Sequence, residues 1–73
     1  MNDSAAVMHV IENGEACPLP RGASLADLLA QLGHAPDAVA TAVNGAFVAR
    51  GLRAGHALAD GDKVQCFRPI VGG

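Results

Sequence analysis

Tryptophan and tyrosine are absent from this sequence, and Phe47 and Phe67 are its whole aromatic content. Single-stranded nucleic acids are held on stacking side chains along a basic groove, and duplexes on a basic stripe. Five Lys and Arg against seven Asp and Glu leave a formal charge of −2, so neither surface can be built. Cysteine is scarce too. Cys17 and Cys66 are too few for the disulfide framework of a small secreted domain, and no Cys or His spacing matches a metal motif. Apolar runs last only a few residues, far short of the roughly 20 that span a bilayer. Met1 to Ala6 is small and polar and lacks the basic and apolar regions of a signal peptide. These absences predict a cytoplasmic protein that binds neither nucleic acid nor membrane.

At 73 residues the chain is one small domain, able to bury only about 60% of the surface its unfolded form exposes. Enclosing a ligand pocket of roughly 300 Å³ or more would consume most of so thin a core. A binding module that holds no cofactor of its own is therefore expected rather than a self-sufficient enzyme.

What is present is a sequence of clear local signals. Val7-Met8-His9-Val10-Ile11 is rich in β-branched residues and leads to Asn13-Gly14, a strong two-residue hairpin signal. Glu15 to Leu19 should return as a second strand, placed at an edge because Pro18 has no N–H to give a ladder. Ser24 reads as a helix N-cap with Asp27 three residues on, and Leu25, Leu28, Leu29 and Leu32 fall on one helical face. Gly33 supplies the left-handed stop. Val39 to Val43 alternates branched and small residues as a third strand, and Asn44-Gly45 turns it into a fourth, Ala46 to Ala49. From Arg50 to Ala59 the chain is punctuated by glycine, with Leu52 and Leu58 as the expected buried anchors of a loop. Asp60-Gly61-Asp62 has the chemistry of a turn rather than of a catalytic carboxylate pair. Lys63 to Phe67 is the last strand. His9, His34 and His56 have no spacing suited to a metal or a catalytic pair and read as strand and loop residues.

An amphipathic helix with one apolar stripe needs one sheet face, which predicts a two-layer α+β fold. The order fits a β-grasp, a mixed four- to five-stranded sheet on one main helix. It divides the chain into a flexible tail at 1–6, a domain at 7–68 and a flexible tail at 69–73. With the first strand between the second and the last, Cys17 and Cys66 stand about 9.5 Å apart, beyond disulfide reach, and should be free thiols. Alternation along the last strand points Val64 and Cys66 to the helix and Phe67, with Ile11, to the uncovered face.

The tail Arg68-Pro69-Ile70-Val71-Gly72-Gly73 ends in two residues without a Cβ, slender enough for a narrow cleft. The chemistry to expect there is that of the Gly73 α-carboxylate, a poor acyl donor until it is activated. Six residues from Arg68 could extend about 20 Å into a partner's site. Ile70 and Val71 have no core to fill and are read, with Gly72 and Phe67, as partner contacts.

From Met8 to Gly73 the chain resembles the ubiquitin-like sulfur carriers, and most closely the ThiS-type carriers of thiamine (thiazole) biosynthesis. The resemblance rests on Asn13-Gly14-Glu15, Gly22-Ala23-Ser24-Leu25-Ala26-Asp27-Leu28-Leu29, Val43-Asn44-Gly45, Gly61-Asp62-Lys63-Val64 and Pro69-Ile70-Val71-Gly72-Gly73, in that order. It implies that an E1-like, ThiF-type partner uses ATP to adenylate the Gly73 carboxylate. Sulfur from a cysteine desulfurase then displaces AMP, and the resulting thiocarboxylate gives its sulfur to a ThiG-type thiazole synthase. The protein would be the substrate of these enzymes and not itself a catalyst. Ala49-Arg50 departs from the Pro-Arg found in many members, so the resemblance assigns Arg50 no role. Met1 to Val7 is an addition to the shortest members, and Glu12 takes a position often apolar in relatives, which implies an exposed end to the first strand. Two alternatives share the fold: a molybdopterin synthase small subunit, which uses the same thiocarboxylate, and a ubiquitin-like protein modifier. A plain β-grasp interaction domain with an inert tail is a third.

Overall fold

Each of the two Asn-Gly pairs makes the turn its residues favour. Asn13 and Asn44 have φ of 49° and 51°, and the glycines after them 89° and 85°. Positive φ at both central positions is the type I′ geometry, whose twist matches that of the flanking strands. The first turn joins β1 (Val7–Glu12) to β2 (Glu15–Pro20), and the second joins β3 (Ala40–Val43) to β4 (Ala46–Val48). These elements come from a computed structural model that describes residues 6–68. The expectations for residues 1–5 and 69–73 lie outside the described residues.

Between the hairpins runs α1 (Leu25–Leu32). Its start is a full reciprocal capping box. The Ser24 Oγ accepts from the Asp27 N–H at 3.1 Å, and the Asp27 carboxylate accepts from the Ser24 N–H at 2.9 Å. Gly33 ends the helix in the left-handed conformation, with φ of 81°. After a 3₁₀ turn at Arg50–Leu52, the chain closes with β5 (Lys63–Phe67).

The five strands are ordered β2-β1-β5-β3-β4. All neighbours pair antiparallel except β1 and β5, which run parallel. The expected α+β, β-grasp arrangement is thus present, with β1 flanked by β2 and β5 and β2 at an edge. Along β1, Met8 and Val10 face the helix. They pack with Leu19, Leu25, Leu28, Val43, Val48, Leu58 and Val64 in one core. Leu29 is also buried, while Leu32, last on the helical stripe, is only partly so. No helix among the described residues is long and apolar enough to cross a membrane.

One anchor departs from expectation. Leu58 is buried, but Leu52 is 66% exposed, and the next residue, Arg53, is buried at 4%. The guanidinium enters because the start of β3 presents acceptors that only a fan of donors can satisfy. Arg53 donates from Nε to the Thr41 hydroxyl at 3.1 Å, and from its two terminal nitrogens to the carbonyls of Pro36 and Val39, each at 2.7 Å. The Thr41 hydroxyl in turn donates to the Val48 carbonyl at 3.0 Å. A buried cation is tolerable only with such complete hydrogen bonding. Replacing Arg53 by Met, which keeps the stem but strands these acceptors, should destabilise the domain by about 3 kcal/mol or more. Leu52→Ala should cost less than about 0.5 kcal/mol. Urea unfolding of both variants checks the contrast, and equal losses would contradict it.

Candidate functional site

The C-terminal segment follows β5 in the sequence, so the site is built from whatever fixes that strand. On one side β3 pairs with it from Val43↔Val64 to Ala40↔Phe67, where β3 begins and the ladder ends. On the other side β1 contributes two register pairs, Ile11↔Lys63 and Glu12↔Val64. Asn13 prolongs that pairing with its side chain. Its Oδ1 accepts from the Cys66 N–H at 3.0 Å and its Nδ2 donates to the Cys66 carbonyl at 3.2 Å, so the amide stands in for a strand residue. Asn44 holds the beginning of β5 by accepting from the Lys63 N–H at 3.0 Å. Its Nδ2 donates to the Asp62 carboxylate at 3.1 Å. Each turn asparagine thus shapes a hairpin and tethers β5.

Asp60 and Asp62 are turn residues, as expected. The Asp60 carboxylate accepts from the His9 N–H and that of Asp62 from the Ala59 N–H, both at 2.8 Å.

Of the residues assigned to the site, Gly73, Gly72, Val71 and Ile70 lie outside the described residues. Phe67 is described and 46% exposed, on the sheet face away from the helix. Ile11, half-buried, shares that face through its pairing with Lys63. Sequence reasoning missed Phe47, which is 70% exposed on the same face. Phe47 pairs with Ala42 and Phe67 with Ala40, so the two rings flank the small residues of β3. Alternation along β4 was the signal that could have found it. A concavity of about 720 Å³ opens between the two Asn-Gly turns, with Lys63 the only ionisable residue lining it among the described residues. It carries no acid–base pair.

On the helix face, Cys17 and Cys66 are both free and partly buried, as the strand order requires. Burial pushes the Cys66 thiol up from 9.0 to about 11. The neighbouring Glu12 carboxylate adds to the rise, while the Arg53 charge opposes it. Glu12 is therefore not at an exposed strand end; it is half-buried beside the thiol. His34 is a loop residue, as its sequence context predicts, but the fold brings it beside two other ligand-bearing side chains. Ligand atoms of Glu12, His34 and Cys66 all lie within 4.8 Å of one another. Spacing in the sequence could not reveal this, because β1, the residue after the helix cap and β5 each supply one.

Two outcomes follow. Asn13→Gly retains a residue suited to positive φ but removes the side-chain clamp, so it should cost about 1–3 kcal/mol and speed hydrogen exchange at the Cys66 amide. Unchanged exchange there would rule out the tether. Below a pKa of about 11 folding favours the neutral thiol, so in chelator-treated native protein the alkylation rate of Cys66 should rise toward an inflection near pH 11. At pH 8 about one thiol in a thousand is reactive, and an inflection near 9 would show that neither burial nor the carboxylate raises it.

A model of the ThiS family matches residues 5–73. Among solved structures, the thiamine biosynthesis protein ThiS of Geobacter metallireducens superposes with a TM-score of 0.79 at 25% identity, over 90% of this chain and all of that one. A comparison with curated proteins finds no match. The family match extends over the hairpins, the helix, β5 and the Gly-Gly segment together, and the chain therefore belongs to the ThiS family.

Proposed function

We propose that the protein is a sulfur carrier of thiamine biosynthesis, working in the cytoplasm, whose reactive group is the Gly73 carboxylate. The observation that carries this reading is the family match running through Gly73, on a domain whose β5 is clamped on both sides immediately before the tail. An E1-like, ThiF-type enzyme exchanges pyrophosphate of ATP for the carboxylate, giving an acyl-adenylate. A protein persulfide formed with a cysteine desulfurase then attacks the carbonyl and AMP leaves, giving an acyl disulfide; a second thiol cleaves its S–S bond, is itself oxidised to a disulfide, and releases the terminus as a thiocarboxylate. A ThiG-type thiazole synthase takes the sulfur. The absence of a Cβ at Gly73 gives the nucleophile a clear approach. ATP is bound by the partner, and the domain contributes position.

Docking falls to the uncovered sheet face. Phe67 and Phe47, with Ile11, offer apolar surface that the core does not need, and Ile70, Val71 and Gly72 continue the contact into the partner's cleft. Free thiols at Cys17 and Cys66 suit a reducing compartment.

Incubation with the adenylating enzyme, ATP and a sulfur source should raise the intact mass by about 16 Da, the exchange of one oxygen for sulfur at an activated acyl group. Deletion of Gly73, or one residue appended to it, should abolish the gain; sulfur loading of either variant would overturn the mechanism. An adduct on a partner's lysine would instead indicate a protein modifier. Phe67→Ala and Phe47→Ala should each lower kcat/KM for adenylation roughly tenfold while leaving the unfolding midpoint nearly unchanged, as expected of exposed contact residues.

A further inference from the structure

We propose that Glu12, His34 and Cys66 form a binding site for a zinc ion where the end of α1 meets the sheet. One carboxylate oxygen, one imidazole nitrogen and one sulfur lie within 4.8 Å of one another, all half-buried. In a tetrahedral zinc site with bonds of about 2.0–2.3 Å, neighbouring donors stand roughly 3.5 Å apart. The three atoms can reach that spacing by side-chain movements of about an ångström.

The backbones beneath them are already fixed. Cys66 is clamped by Asn13, and Glu12 pairs with Val64, the residue two before it on the same face. His34 follows the left-handed Gly33 and donates its N–H to the Leu29 carbonyl at 3.0 Å.

The donor set is also out of keeping with its surroundings. Met8 and Val10 precede Glu12 on the helix-facing side of β1, and Val64 precedes Cys66 on β5. Packing alone would continue the apolar pattern, whereas a carboxylate, an imidazole and a thiol suit a borderline-soft dication. Glu12 and a Cys66 thiolate together balance its charge. Without metal, burial and the neighbouring Glu12 charge favour the protonated thiol. On binding, the thiol proton passes to solvent and sulfur bonds the ion. Three protein ligands leave the fourth tetrahedral position to water or to a soft external ligand.

The test uses tag-free, full-length protein with Co²⁺ as a spectroscopic probe and Zn²⁺ competed against a chromophoric chelator. Wild type and Cys17→Ser should both show thiolate-to-cobalt charge-transfer absorption in the near ultraviolet with tetrahedral visible bands. Cys66→Ser should lose the charge-transfer band. Loss of an outer-shell partner alone weakens a metal site by about 10–100-fold, so Glu12→Gln and His34→Ala should each weaken Zn²⁺ binding at least about a hundredfold. Glu12→Gln is nearly isosteric, and far-ultraviolet circular dichroism verifies that each variant is folded. Absence of the thiolate band in wild type, its survival in folded Cys66→Ser, or its loss in Cys17→Ser would overturn the assignment. So would unchanged Zn²⁺ affinity in Glu12→Gln. Sulfur loading at Gly73 is measured separately, and the site does not depend on it.

Discussion

The parallel contact between β1 and β5 is the constraint on which this structure depends. It joins the two ends of the domain at the middle of the sheet, and everything between them serves as the crossover that a parallel pair requires. Only two residue pairs are in formal register. The row of hydrogen bonds is nonetheless longer. The Asp60 carboxylate takes the His9 N–H, and the His9 carbonyl takes the Gly61 N–H at 2.7 Å. Ile11 donates to the Asp62 carbonyl at 2.8 Å, Asn13 to that of Val64 at 3.0 Å, and the Asn13 side chain then reaches Cys66. A turn at one end and an asparagine amide at the other thus complete the row. Without them the buried edge of β1 would leave polar groups unpaired at a cost that a core this thin could not offset.

The same scarcity of core explains Arg53. The chain entering β3 from the helix runs irregularly through Pro36 and Val39, so its carbonyls have no ladder to join. A single guanidinium satisfies two of them and the Thr41 hydroxyl, binding the segment before β3 to the segment after β4. Thr41 also pairs with Cys66, so the network borders the strand that carries the tail. Rigidity at the tail's root therefore has two sources: asparagine amides on the β1 side and on the turn, and the arginine network under β3.

Features governed by neighbours in the chain were legible in the sequence. Asn-Gly specified both type I′ turns, Ser24 and Asp27 the capping box, Gly33 the helix stop, and leucine spacing the buried stripe. Strand order followed because one amphipathic helix admits few sheets. The loop from Arg50 to Ala59 has no period, so hydrophobicity alone chose Leu52, and nothing local reports that acceptors from Pro36, Val39 and Thr41 converge on the next side chain. The second role of the asparagines and the meeting of Glu12, His34 and Cys66 were hidden for the same reason. They are products of tertiary placement, and Phe47 alone among the unforeseen features had a local signal in the alternation of β4.

β5 places opposite demands on adjacent residues. Val64 and Cys66 face the helix, while Gln65 and Phe67 face outward, and the Gly-Gly segment follows in the sequence. A slip of one residue would bury Phe67, expose Val64 and displace the tail root along the strand by about 3.3 Å. Parallel pairing over two residues is weak protection against such a slip. The side-chain bonds from Asn13 to Cys66 and from Asn44 to Lys63 are specific to single positions, one near each end of β5, and cannot both be remade in another register. In the carrier reading, those two asparagines are what keeps the docking face and the end of β5 in a fixed relation.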